Sequence, residues 1–280
     1  MKINYYEILE LKKCIFLLFI CLFFCSISII ARVNKVSIDN SSSCKRTAGV
    51  LKENFSRFFS SLSDTVPGQD KKEKSLGWEI LFDGENIDKW RGKDSNAVPE
   101  GWVIEKGLLF LNKKGSGDIF TRKQYGNFEL VLDFNLTVNA NSGIKYFVGN
   151  LKNIKTGEIA FNGIEYQIID DYNHPEVKDH KHDLGATASC YLLYAPKNTS
   201  LKPAGQWNHV RIIAIGKHVE HWLNDVKVLQ YERGSSDFLK RKAITKFKDY
   251  ENYGELLQGH ILLTDHIDKV YFRNIKIKRL

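Results

Sequence analysis

Glu165, Gln167 and Asp170, in the stretch Gly163-Ile164-Glu165-Tyr166-Gln167-Ile168-Ile169-Asp170-Asp171, have types and spacing that could do chemistry. Side chains two apart in a strand share a face, so Glu165 and Gln167 would stand together while Ile164, Tyr166 and Ile168 turn into a core. The polar face must then meet solvent, an ion or a ligand, and paired carboxylates are what proton transfer in a cleft uses. Asp170 lies at an odd offset from Glu165. In a regular strand it points to the opposite face, and it joins Glu165 only if a bulge or the strand end re-aims it. The same residues also read as a half-exposed strand running into an acidic turn, and the stretch alone leaves both readings open.

Strand after strand surrounds this stretch. Phe128, Leu130, Leu132 and Phe134 alternate with polar partners, the period of a half-buried strand. Similar signals fall at Trp102–Glu105, Leu108–Leu111, Ile144–Val148, Ile164–Ile169, Ser189–Leu193, His209–Ile215, Val219–Leu223, Val226–Tyr231, His260–Leu263 and Val270–Ile277. Gly216-Lys217 and Asn224-Asp225 separate short runs as hairpin turns do. A weak helical period occurs at Ser236–Ile244. So many short strands over residues 76–280 imply one all-β domain of two stacked antiparallel sheets whose chain ends can pair.

The N-terminal part reads differently. Lys12 and Lys13 precede an uncharged apolar run from Cys14 to Ala31, the pattern of an export signal, with Ser26-Ile27-Ser28 at cleavage-compatible spacing. A retained membrane anchor is the competing reading of residues 1–31, and lipidation at Cys25 ranks below both because bulky Phe24 precedes it. Residues 32–75 are polar and charged, a flexible tether with one short amphipathic helix near residues 51–62. The expected localisation is therefore exported, at the envelope, in the periplasm or secreted, with membrane tethering through the N-terminus as an option. Three of the five cysteines lie in the apolar run, which leaves Cys44 and Cys190 and rules out a disulfide framework or a paired-cysteine zinc site. The net charge of +8 is spread over many turns rather than gathered into a basic stripe with aromatics, so no nucleic-acid partner is expected.

Several words of the sequence, taken in order, resemble the 3-keto-disaccharide hydrolase family. They are Gly77-Trp78-Glu79-Ile80-Leu81-Phe82-Asp83-Gly84 running to Trp90, then Tyr125-Gly126-Asn127-Phe128-Glu129-Leu130, then Asn141-Ser142-Gly143-Ile144-Lys145-Tyr146-Phe147, then the Glu165–Asp171 stretch. Gly205-Gln206-Trp207-Asn208, His221-Trp222-Leu223-Asn224, Gly259-His260-Ile261-Leu262-Leu263 and Phe272-Arg273-Asn274-Ile275-Lys276-Ile277 complete the series. The resemblance spans residues 76–280. It implies a concanavalin A-like jelly-roll sandwich of the lectin and glucanase type, exported by glycan-degrading bacteria and acting on sugars whose 3-hydroxyl is already a ketone. Such a ketone acidifies the C2 proton, so one base, one acid and an oxyanion stabiliser suffice to expel the C1 oxygen.

Carried onto this chain, the resemblance implies Glu165 as first candidate for the base or acid and Asp170 as second, with Lys145 as a cation that stabilises an enolate oxygen or holds a carboxylate in place; a surface lysine with its stem along apolar surface is the other reading of Lys145. Gln167, Asn141, Asp265 and His266 are the implied substrate-binding groups. His174, His180 and His182 with the acidic pair form an alternative, a divalent metal ion polarising the ketone; a solvated loop from Tyr172 to Asp183 is the other reading of those histidines. The five tryptophans could stack on sugars, although most are expected to be structural. The chain departs from the family in two words. Thr264-Asp265-His266-Ile267 stands where relatives read Gln-Asp-His-Gly, and Ile267 is expected to forbid the positive φ that glycine allows. Leu192 stands where relatives commonly carry an aspartate, if Tyr191-Leu192-Leu193 aligns there. Two other functions stay open: a non-catalytic carbohydrate-binding domain at the envelope, and a conventional two-carboxylate glycoside hydrolase on unoxidised glucans, which the Glu165-x-Gln167-x-x-Asp170 spacing approaches without the central aspartate.

Overall fold

The computed structural model describes residues 76–177 and 183–280. The apolar run Cys14–Ala31, the tether 32–75 and the histidines His180 and His182 lie outside the described residues. The described part is a two-sheet antiparallel jelly-roll sandwich. Its strands are β1 (Trp78–Phe82), β2 (Trp90–Arg91), β3 (Trp102–Glu105), β4 (Leu108–Leu111), β5 (Ile119–Thr121), β6 (Phe128–Leu136), β7 (Asn141–Lys152), β8 (Ile159–Ile169), β9 (Trp207–Ile215), β10 (His218–Leu223), β11 (Val226–Glu232), β12 (His260–Leu263) and β13 (Val270–Arg279), with helix α1 at Ser236–Lys242.

The larger sheet runs β11-β10-β9-β6-β13-β4-β3, with β1 also paired to β13; the smaller runs β2-β5-β12-β7-β8. The first and last strands therefore meet, Trp78 opposite Lys278. The hairpin expected around residues 210–231 is β9-β10-β11, and its second turn, Asn224-Asp225, has both residues at positive φ, +49° and +65°. That geometry matches strand twist, and asparagine and aspartate tolerate it better than other side chains. Helix α1 begins where Ser235 accepts a hydrogen bond from the Phe238 amide and anchors through buried Phe238.

Alternation sorts the side chains as expected in the strands that matter most. Along β6, Phe128, Leu130, Leu132 and Phe134 are fully buried between the sheets. Along β7 and β8, Ile144, Tyr146, Ile164, Tyr166 and Ile168 join the same core, which sends Lys145, Glu165 and Gln167 to the outer face of the smaller sheet. Ser189–Leu193 is not a strand. Ala188 and Leu192 take positive φ, +70° and +63°, and the segment touches β8 through a single bridge, Tyr166 to Cys190. It nevertheless covers the β8 edge: the Gln167 amide donates to Ser189 O at 3.2 Å and the Tyr191 amide to Glu165 O at 3.0 Å.

Candidate active site

Strand register assembles the site. Lys145 lies opposite Glu165 and Gly143 opposite Gln167 on β7 and β8, and β12 continues the first row with Leu262 opposite Lys145. Directly opposed residues share a face and stand about 5 Å apart. Glu165 Oε2 is accordingly 4.0 Å from the Lys145 ammonium. The Asn141 carboxamide oxygen accepts from Gln167 Nε2 at 3.3 Å on the same face. Asn141 and Lys145 on β7 thus share one site with Glu165 and Gln167 on β8.

Gly143 is required by packing. A Cβ added there would lie 2.2 Å from Glu165 Oε1, so the carboxylate lies in the space that any side chain would fill. The loop after β12 closes over it. Thr264 binds the Gly143 carbonyl through its amide at 3.1 Å, and His266 two residues on brings Nε2 to 3.8 Å from Glu165 Oε1. The loop is pinned by Asp265, whose carboxylate accepts from the Gly117 and Ile267 amides and whose own amide donates to Asp118. Asp265 therefore positions the loop while His266 faces the carboxylate.

Glu165 is only 5% exposed, and its Oε1 is buried without a hydrogen-bond partner. A buried carboxylate oxygen left unpaired costs free energy; the Ser189 and Tyr253 hydroxyls are the other buried side-chain oxygens without a partner among the described residues. Lys145 and His266 approach from two sides but stop beyond hydrogen-bond length. The remaining gap suits a proton, a hydroxyl or a C–H bond of a bound molecule.

Asp170 does not share this face. The β7–β8 register is regular from Asn141 to Tyr146, shifting only between Tyr146 and Gly149, so no bulge re-aims the strand end. Fully buried Asp170 instead accepts from the Asn139 and Tyr172 amides and from Asn173 Nδ2, which closes the turn after β8. Asp171 does comparable work by accepting from the Thr187 amide at 2.9 Å. In the same turn His174 Nδ1 accepts the Glu176 amide at 3.3 Å. Among the described residues no group of three His, Cys, Asp or Glu is close enough to hold a metal ion, and the other two histidines of that expectation lie outside them.

Sequence reasoning passed over Tyr191. Its amide donates to the Glu165 carbonyl at 3.0 Å, next to the bridge from Tyr166 to Cys190, and the Glu165 charge reaches its phenol. Burial, then the charges of Glu165 and Glu176, raise its phenol above the ordinary tyrosine value, so it stays protonated at neutral pH. The tryptophans are structural or lie elsewhere. Trp90 and Trp102 are buried and donate to Leu81 O and Gly117 O, while Trp78, Trp207 and Trp222 on the larger sheet are covered by Lys276, Arg273 and Arg211.

Residues 77–278 match the family described as the 3-keto-alpha-glucoside-1,2-lyase-like domain. A 3-keto-disaccharide hydrolase of Bacteroides thetaiotaomicron is 32% identical over 228 residues, covering 73% of this chain and 79% of the relative. Among solved structures, a candidate glycosyl hydrolase from Parabacteroides distasonis is 34% identical with a TM-score of 0.65, covering 75% of this chain and 96% of that one. A second from the same organism is 27% identical with a TM-score of 0.54, covering 72% and 99%.

Proposed function

The chain belongs to the family of 3-keto-alpha-glucoside-1,2-lyase-like domains and is a glycosidase-type enzyme on carbohydrate, and on that premise we propose that it cleaves 3-keto-glycosides by proton abstraction at C2. The observation that carries the reading is Glu165 Oε1, buried and unpartnered between Lys145 and His266.

In this scheme Glu165 takes the C2 proton. The C2–H electrons form an enolate with the C3 ketone, whose developing charge Lys145 stabilises as an ammonium at the adjacent row position. The enolate then collapses to a C1–C2 double bond, the C1–O bond breaks, and the leaving oxygen receives a proton from His266 or Tyr191. The products are an alcohol or sugar and a 2-hydroxy-3-keto-glycal. Addition of water across the new double bond gives 3-keto-glucose, so elimination followed by hydration has the balance of hydrolysis. Gln167, held by Asn141, supplies hydrogen bonds to ring hydroxyls. One carboxylate suffices, which fits Asp170 being engaged in the turn; two-carboxylate hydrolysis would need a partner on the Glu165 face.

Full-length protein should release the chromophore from a 3-keto-glucoside bearing a chromogenic leaving group, and deuterium at C2 should slow release. Glu165→Gln should lower kcat by about 10²- to 10⁴-fold, the range for loss of a general base. Cleavage of the unoxidised glucoside at an equal rate would overturn the proposal, as would retained turnover in Glu165→Gln. Repeating the assay with a chelator tests the divalent-ion alternative. Sugar binding without turnover of either substrate would instead favour a carbohydrate-binding role.

A further inference from the structure

A groove next to the Glu165 site has residues that the proposed chemistry leaves unused. It encloses about 520 Å³ between the loop after β2, with Gly92, Lys93, Asp94 and Ser95, and the loop before β5, with Ser116 and Asp118. That volume falls within the range of small-molecule sites. Its floor is Phe120, Leu262 and Phe161, a hydrophobic cluster apart from the main core and on the outer face of the smaller sheet.

Two register relations join groove and site. Across the sheet, Phe120 pairs with Leu262, Leu262 with Lys145, and Lys145 with Glu165. Leu262 is thus two strand spacings from Glu165, roughly 10 Å. Along β8, Phe161, Gly163 and Glu165 face the same way, and a Cβ at Gly163 would come within 2.9 Å of the Val148 side chain. Phe161 is half-buried, packs on Phe120 with ring centroids 4.6 Å apart, and turns its remaining surface to the groove. The groove wall and the catalytic loop are also one unit, since Gly117 and Asp118 make the hydrogen bonds that pin Asp265.

We propose that this groove is a second sugar subsite, holding the partner ring of a disaccharide whose oxidised ring lies over Glu165. This rests on the reading of the Glu165 site given above. A pyranose has an apolar face for Phe161 and a rim of hydroxyls for Asp94, Ser95, Ser116 and Lys93, and an alkyl or aryl leaving group would leave that polar rim unpaired. The distance of two strand spacings is comparable with two linked rings. Phe161 and Asp94 are specificity residues in this scheme and touch none of the reacting atoms.

The test compares the full-length protein with Phe161→Ala and Asp94→Ala on two substrates, a 3-keto glucose disaccharide and methyl 3-keto-glucoside. The disaccharide should lose about tenfold or more in kcat/KM in Phe161→Ala, as expected for one lost aromatic contact, while the methyl glycoside keeps its value. Equal losses on both substrates, or no loss on either, would overturn the subsite. Because Phe161 packs on Phe120, the Asp94→Ala variant, changed at an exposed position, provides the same comparison without risk to the fold. Calorimetric titration of wild type and both variants with unoxidised maltose and cellobiose separates the two proposals. Sugar binding weakened by the groove variants, without turnover of any ketosugar, would retain the subsite and refute the chemistry; turnover of methyl 3-keto-glucoside with no measurable binding of either disaccharide would do the reverse.

Discussion

Strands β7 and β8 carry polar groups on both faces, and the two faces treat them in opposite ways. On the inner face Tyr146 Oη lies between His221 Nε2, at 2.6 Å, and the Tyr231 hydroxyl. His221 Nδ1 meets the Ala188 carbonyl at 2.9 Å, so that nitrogen carries the proton and Nε2 accepts from Tyr146. These groups satisfy one another without water. On the outer face Glu165, nearly as deep, keeps an oxygen with no partner, with the Lys145 ammonium and the His266 imidazole on either side beyond bonding distance. Two buried polar clusters back to back on the same strands therefore differ in satisfaction rather than in burial. The satisfied one ties the sheets together, and the unsatisfied one is where the proposed chemistry is placed.

The largest effect that would test this contrast comes from substitutions that leave each polar group intact and alter only its surroundings. Gly143→Ala puts a methyl group on Glu165 Oε1 and should cut kcat/KM on a 3-keto-glucoside by about 100-fold, because displacement of a reacting group by an ångström costs that much. Tyr146→Phe, on the inner face, should leave kcat unchanged while lowering stability by about 1 to 3 kcal/mol through the unpaired groups it leaves. Steady-state kinetics and urea unfolding of the two variants give the answer. A kcat collapse in Tyr146→Phe would show that the inner network takes part in the chemistry.

Acid should reveal the inner face next. Burial, opposed only in part by the Ala188 hydrogen bond, lowers His221 to about 4. The folded value lies below the unfolded value of about 6.5, so the unfolded chain takes up a proton that the fold refuses. Its contribution is complete above about pH 6.5 and is lost as pH falls towards 4. About 2 kcal/mol should disappear between pH 7.5 and pH 5 from this group. His221→Gln should flatten that limb in urea midpoints taken at both pH values; an unchanged slope would mean that His221 is not buried neutral.

Asp170 sharpens the comparison from the side of the site. With three donors on its carboxylate it belongs with the satisfied groups, so Asp170→Asn should cost about 1 to 2 kcal/mol of stability and leave kcat within about twofold. A kcat loss comparable to that of Glu165→Gln, at full stability, would restore it to the reacting groups.

How far the sequence foretold this arrangement depended on the range of each signal. Period-2 alternation reports on every other residue of a long segment, so β6, β9 and β13 were readable, and so was the split of Ile164, Tyr166 and Ile168 from Glu165 and Gln167. Strands β2 and β5, two and three residues long, contain no full period and went unread. Ser189–Leu193 shows the reverse error, since its alternating residues look like a strand while the positive φ values at Ala188 and Leu192 break it. Asp170's odd offset already hinted that it faces away. The place of Tyr191 beside Glu165 could not be read, because a single bridge between segments 26 positions apart sets it, as the pair Tyr191 amide to Glu165 carbonyl shows. Gly143 carried a signal that could have been used, since a glycine inside a strand often marks a close approach.

The smallest predicted effect concerns the two departures from the family words, which prove to share a geometry. Ile267 was expected to forbid positive φ, yet its φ is +65°, and Leu192 has +63°. The loop keeps the backbone shape that glycine allows and accepts strain instead, since a β-branched residue in this region is a genuine outlier. His266, whose Nε2 lies 3.8 Å from Glu165 Oε1, directly precedes Ile267. The two sites differ in what their side chains return: Leu192 packs partly against the core, whereas Ile267 is 53% exposed. Ile267→Gly should therefore gain about 1 kcal/mol of stability with little change in kcat, because relief of strain exceeds the added freedom of the unfolded chain. Leu192→Asn should gain nothing, because the burial it loses offsets the strain it relieves. Melting of the two single variants separates these outcomes, and a stabilised Ile267→Gly with a large fall in kcat would show that the strain itself holds His266 in its working position.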